Sequence, residues 1–323
     1  MLEQSSTPKI QSPSLTSTSN PVSPFGDTGK QFAWDSVSLN WLKDCPRKYK
    51  YFMLDGWRPK ADSVHIRFGL LYARALEHYH VWRSKGSSHR KAMYNVVLET
   101  LMKSWPWDFE DHVKSRENLI RSIVWYLDKF ENDVCETVIL SDGTPAVEIA
   151  TRYQLDNDNI VIVHLDRIVN FNGQTYIQDQ KTTGHTISGY YFDGFSMDNQ
   201  MSLYSTVGAV VYHAPVAGVM IDAAQIAIGF TKHERGFTYR TKEQLDEWLA
   251  DTRYYIGPYR DAAEAAGWPQ NDTSCGKFRS DDPFRGSVGC PLRGVCSKDP
   301  RVRDKFLESN FERRPWNPLA ERT

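Results

Sequence analysis

Residues 161–183 read VIVHLDRIVNFNGQTYIQDQKTT, and the reading of this stretch decides the fold. Two runs rich in β-branched side chains flank Asn172-Gly173, a dipeptide suited to a two-residue type I′ hairpin turn. Such a turn pairs Phe171 with Gln174 and, counting back, sets Asp166 directly opposite Asp179. Directly opposed residues share a sheet face, with Cβ atoms roughly 4.5–5.5 Å apart. Lys181 follows Asp179 by two positions and takes the same face. His164 is expected there as well, opposite Lys181, as a structural neighbour rather than a ligand. Facing carboxylates repel, so this pair needs a cation. Mg²⁺ suits them, because it takes oxygen ligands and commonly combines one or two carboxylates with phosphate oxygens. The chemistry expected of such a site is cleavage of a phosphodiester.

Working outward, Ser36 or Ser38 can cap a short helix through Leu42, and Pro46 suits the first turn of another from Arg47 to Leu54. Helical spacing predicts helices over 66–83, 88–104 and 115–139, the last with Leu119, Ile123, Leu127 and Phe130 on one side and Cys135 as core filler. Strands are expected over 146–156, 160–171 and 174–181. A helix over 195–212, a strand over 217–230 and a long helix over 242–266 follow, with loops after Gly267. This order describes an α/β fold: a mixed central sheet with an antiparallel meander, flanked by helices. One domain over 31–312 accounts for it, with a helical elaboration over 55–145, a cysteine-containing segment over 268–300 and a tail over 313–323. Residues 1–30, rich in Ser, Thr, Pro and Gln, bury too little to offset ordering entropy and are expected to be disordered.

Lys plus Arg number 39 against 40 Asp plus Glu, a formal net charge of −1. That balance argues against a general nucleic-acid coat, which is normally basic. No run of 18 apolar residues suggests a membrane span, and the N-terminus lacks the layout of a signal peptide, so a cytoplasmic protein is expected.

These motifs resemble the PD-(D/E)XK nuclease superfamily, in its RecB-like branch: Asp166, a hairpin, then Asp179-Gln180-Lys181-Thr182-Thr183. Ser38–Tyr51 (SLNWLKDCPRKYKY) resembles the family's N-terminal CPRKY element, and Gln200-Met201-Ser202-Leu203-Tyr204 its Q-x-x-x-Y helix. With the cysteines near 275–296, the resemblance spans roughly residues 36–300. It implies a restriction-endonuclease-like core and a Mg²⁺- or Mn²⁺-dependent DNA nuclease, of exonuclease or end-processing type, similar to bacteriophage relatives. A helicase or recombination protein is the implied partner. Asp166 and Asp179 would be metal ligands with the Ile177 carbonyl, and Glu148 is a candidate third carboxylate. Lys181 would orient the attacking water and offset charge on the phosphate. Gln200 and Tyr204, one helical turn apart, would approach the substrate strand or the lysine. The family often carries a metal-binding histidine four residues after a glycine in the preceding helix. Here Gly69 is followed by Ala73, so either Glu77, one turn further on, substitutes or that ligand is lost. Arg47, Lys48 and Lys50 are candidate DNA contacts or a solvated helix face.

An odd count of five cysteines argues against a disulfide framework. Cys45, Cys275, Cys290 and Cys296 are similar in order to the four that hold a [4Fe–4S] cluster in iron–sulfur relatives, although Cys275 stands fifteen residues before Cys290 where the family uses three. A Cys₄ zinc site or free thiols are the alternatives. Two other functions stay open: a nuclease-fold protein that binds DNA in recombination or replication without cutting, motivated by Ala73, and a structural zinc protein without nuclease activity.

Overall fold

Asn172 and Gly173 both take positive φ, 50° and 75°, as a type I′ turn requires. The computed structural model describes residues 22–61, 63–212, 215–275 and 289–320, so most of the expected N-terminal tail lies outside the described residues. Residues 22–30 are described, and Phe25 there bridges Gln31. The strands are β1 (Ala33–Trp34), β2 (Trp57–Pro59), β3 (Glu136–Thr137), β4 (Val147–Gln154), β5 (Ile160–Phe171), β6 (Gln174–Thr183), β7 (Gly218–Ile226), β8 (Thr231–Thr238) and β9 (Phe311–Arg313). The helices used below are α1 (Ser36–Asp44), α2 (Pro46–Tyr49), α3 (Val64–Ser84), α4 (His89–Lys103), α5 (Arg116–Lys129), α6 (Gly189–Asp193), α7 (Asn199–Tyr212) and α8 (Lys242–Tyr254).

The main sheet runs β1-β5-β6-β7-β8, with β3 and β4 also on β5. Its β1–β5 and β6–β7 pairs are parallel and the rest antiparallel, which makes it mixed. The β6–α7–β7 unit supplies one parallel pair, because parallel neighbours need a crossover long enough to return the chain. One sheet face packs a core that includes Leu39, Tyr49, Met201 and Tyr204 of α1, α2 and α7. The other packs α3, α4 and α5 through Phe68, Tyr72, Val96, Leu119 and Ile123. The architecture is the expected α/β one, a mixed sheet between helical layers.

Several elements differ from the sequence reading. The run 217–230 is not one strand, because β7 ends at Ile226, Ala227 N donates to Phe230 O at 3.0 Å, and β8 turns back. The helix expected over 115–139 stops at Lys129, and Cys135 sits in the following loop with its amide held by Asp133 at 3.0 Å. The helix expected over 242–266 loses α-helical pairing at Tyr255–Tyr259, a π turn holding Pro258, which has no N–H to donate. Within the region expected to be loops after Gly267, β9 pairs antiparallel with β2 and reaches Arg313, the first residue of the expected tail.

Two irregularities prepare the site. The β5–β6 ladder runs from Phe171↔Gln174 only as far as Arg167↔Gln178, and β1 pairs with β5 further on, at Ile160 and Val161. The inward phase of β5 also slips. Val161, Val163 and Leu165 face the α7-side core, but so does Ile168, so alternation resets at Asp166–Arg167. Next door, β4 resets between Ala146 and Ile149, around Glu148 at φ 47°. A glutamate in that region costs on the order of 1–3 kcal/mol and persists only where its surroundings enforce it.

Candidate active site

The gap where β5 and β6 part is the candidate site. Asp166 does not continue the ladder opposite Asp179; its Oδ2 accepts the Gln180 amide at 2.9 Å. A backbone donor that lost its strand partner is thereby satisfied. The phase slip also moves His164: Leu165 occupies the core face shared with Ile177, and His164 stands in the β4 ladder opposite Ala150, not on the face of Lys181.

Asp179 keeps the inward face of Ile177 and is 1% exposed. Lys181 Nζ lies 2.5 Å from its Oδ2, a close ion pair. Burial pushes the Asp179 carboxyl up to about 7; Lys181 opposes this and Asp166 adds to it. For Lys181, burial pulls the amine down, yet Asp179, Asp166 and Asp198 outweigh it and hold the pKa above its ordinary value. The amine also donates to Gln200 Oε1 at 3.1 Å, and Gln200 Nε2 donates to the Tyr204 hydroxyl at 2.8 Å. These two residues share one face of α7 because they are four apart. Asp198 caps α7 by accepting the Gln200 amide at 2.7 Å, and its charge faces Asp179 and Lys181. The α7 helix can come this close because it has Gly208 against β6: a Cβ there would lie 2.1 Å from Ile177 Cδ1.

A second group of carboxylates stands beside the first. Ala73, Glu77 and His80 of α3, Glu148 of β4, Asp166 and Arg167 of β5 and Gln180 of β6 line one small cavity, with room for about one water-sized body. Glu77 therefore lines the cavity beside Ala73, and burial holds its carboxyl above the usual range, with His78 and Arg74 opposing. His80 is neutral, its pKa driven well below the ordinary value by burial and then by Arg167. The oxygen-rich donors suit a hard divalent cation. Among the described residues, however, no three His, Cys, Asp or Glu side chains are gathered closely enough to hold a metal ion. Asp179 and Asp166 are held by Lys181 and the Gln180 amide instead.

Behind the strands lies a buried polar network that the sequence reading missed. Asp222 Oδ2 accepts from Tyr126 at 2.6 Å, Gln178 at 2.8 Å and Arg235 at 3.1 Å. Arg235 also grips both oxygens of Asp133 at 2.7 Å. Arg167 donates to Cys135 O, Thr137, Gln178 and His80. An aspartate inside the largely apolar run GVMIDAAQI was the available signal.

The three candidate DNA contacts are engaged within the chain. Lys48 pairs with Asp44 and Lys50 with Asp55, both at 2.6 Å, and Arg47 donates to Trp268 O and Gln270. Four cysteines share one neighbourhood. Cys45 Sγ accepts the Asn271 amide at 3.3 Å, and Cys275 Sγ donates to Asn271 O at 3.5 Å. Burial raises the Cys290 and Cys296 thiols, with Cys275 acting on both and Cys45 on Cys290. Cys135 stands apart, against Met220.

Among the described residues no helix is long and apolar enough to cross a membrane. No curated protein matches the chain at a significant level. The family model for the PD-(D/E)XK nuclease superfamily matches residues 36–297, a span that holds the hairpin, Lys181, the α7 pair and all five cysteines. The chain belongs to the PD-(D/E)XK nuclease superfamily.

Proposed function

We propose that this chain is a metal-dependent DNA nuclease of the RecB-like branch, acting as an exonuclease or end-processing enzyme. The observation that carries the reading is Lys181, suspended between Asp179 at 2.5 Å and Gln200 at 3.1 Å where two strands separate. Asp166 and Asp179, with Glu148, Glu77 and the Ile177 carbonyl, would hold Mg²⁺ or Mn²⁺. When bound, the ion acidifies water and polarises a phosphoryl oxygen. The ammonium of Lys181 fixes the attacking water and offsets charge on the phosphate as the water oxygen bonds to phosphorus and the P–O ester bond breaks. Gln200 and Tyr204 keep that amine aimed into the gap.

Cleavage of labelled single- and double-stranded DNA with Mg²⁺ or Mn²⁺ tests this. Lys181→Ala is expected to lower cutting by about 10²- to 10³-fold, the usual loss for one electrostatic stabiliser. Undiminished cutting in both Lys181→Ala and Asp179→Ala overturns it. Ala73 at the position of the usual histidine favours a second reading, a DNA-binding protein that does not cut. Tight DNA binding without cleavage in any divalent metal would select it. The resemblance implies a [4Fe–4S] cluster or zinc at Cys45, Cys275, Cys290 and Cys296, which share a neighbourhood, but among the described residues no three of these thiols stand closely enough to hold either. A brown, iron-containing protein on anaerobic purification supports the cluster, and stoichiometric zinc replaces it.

A further inference from the structure

Between β6 and α7 the chain carries five Phe, Tyr or Met side chains besides Ile187, and they divide sharply. Tyr191, Phe192 and Phe195 pack against the core beneath the sheet. Tyr191 lies 5.4 Å from Phe192 and 5.5 Å from Phe195 between ring centroids. Tyr190 and Met197 point the other way, each 89% exposed, the most exposed large apolar side chains among the described residues. Burial alone gives no reason for either.

The segment that presents them is pinned. Ile187 is buried, and its amide donates to Gln225 Oε1 at 3.2 Å. Phe192 fills the space above Gly236, where a Cβ would lie 2.2 Å from its ring. Arg240 donates to Phe195 O at 2.9 Å, closing the far end. The inward Tyr191 packs against the core that holds Ile177, two residues before Asp179, and Tyr204, which contacts Gln200, and the Lys181 and Asp179 charges act on its hydroxyl. The outward ring of Tyr190 is therefore the next residue along from one that borders the candidate site, on backbone that is held in place.

A solvent-facing tyrosine on pinned backbone next to a candidate phosphodiester-handling centre suits one ligand chemistry, the π-face of an unpaired nucleobase. Paired bases in a duplex are covered by their neighbours and offer no such face. Resting on the nuclease reading above, we propose that Tyr190 is a specificity-determining residue that stacks on an unpaired base of the strand led to Lys181, so that single-stranded ends are preferred.

Binding of the full chain to a fluorescent single-stranded oligonucleotide and to a duplex of the same length, both in EDTA so that nothing is cut, tests the assignment. Tyr190→Ala is expected to weaken single-strand binding about 5- to 150-fold, the range for losing one stacked base, and to leave duplex binding unchanged. Tyr190→Phe is expected to bind as the wild type does, because stacking needs the ring and not the hydroxyl. An oligonucleotide with one 2-aminopurine should be quenched by the wild type and by Tyr190→Phe, but not by Tyr190→Ala. Single-strand binding unchanged in Tyr190→Ala, or Tyr190→Phe as weak as Tyr190→Ala, overturns the platform while leaving the nuclease reading intact. A wild-type chain that binds no DNA overturns both.

Discussion

Replacing Asp179 by asparagine should remove a defined pH dependence from the stability of the chain. In the folded chain burial raises this carboxyl from 3.8 to about 7. Between those values the unfolded chain releases the proton and the folded chain keeps it, so wild-type stability falls as pH rises through the window and levels off above it. From pH 5 to pH 7 the loss is about two units at ~1.4 kcal/mol each, about 3 kcal/mol. Asparagine has the same shape and no proton to lose. Its variant also deprives Lys181 of its nearest anion, but that lysine side chain is 29% exposed and retains Asp166 and Asp198. In the wild type its amine is held above the ordinary lysine range and stays charged across the window. The expected result is therefore a slope: the stability of Asp179→Asn relative to wild type should grow by about 3 kcal/mol between pH 5 and pH 8. Urea unfolding followed by tryptophan fluorescence, in EDTA, reads it directly. Added Mg²⁺ should shrink the slope by favouring the carboxylate. A flat difference, or one that falls with pH, would refute the reasoning that burial dominates at this residue.

Glu77→Gln is expected to raise the Mg²⁺ concentration for half-maximal cleavage by about 10-fold or more, and an unchanged metal titration would remove Glu77 from the ligand set. Arg235→Met leaves Asp222 and Asp133 buried without their shared partner, so unfolding should become easier by about 3–5 kcal/mol; a loss below about 1 kcal/mol would show the network to be idle. Gly208→Ala drives a methyl into fully buried Ile177, and the urea midpoint should fall by the equivalent of about 1–3 kcal/mol, with cutting reduced as Gln200 and Tyr204 withdraw from Lys181.

The hairpin was legible because Asn172-Gly173 admits few turns and the alternation on either side fixes the faces. The sequence reading thus brought Asp179 and Lys181 to one face, and the spacing of Gln200 and Tyr204 gave the helical contact between them. Asp166 was harder. Its departure from the ladder depends on the left-handed backbone at Glu148 and the phase slip beside it, neither of which any local propensity encodes. The β7–β8 turn was missed because Ala227–Phe230 contains one glycine within an apolar run, which reads as continuous strand. The Asp222 network escaped for a different reason: its members come from α3, α5, β5, β6, β7, β8 and the loop after α5, and only the folded sheet gathers them.

The reset of alternation in β5 has its counterpart in β4. Removing Asp166 alone would leave Val161, Val163, Leu165 and Ile168 at strict every-other positions, a more regular strand than the natural one. Such a shortened chain would surrender the acid that meets Gln180 and leave β4, which resets at Glu148, one residue out of step with β5. The irregularity is thus shared by two neighbouring strands, and straightening one of them would take a matched change in the other.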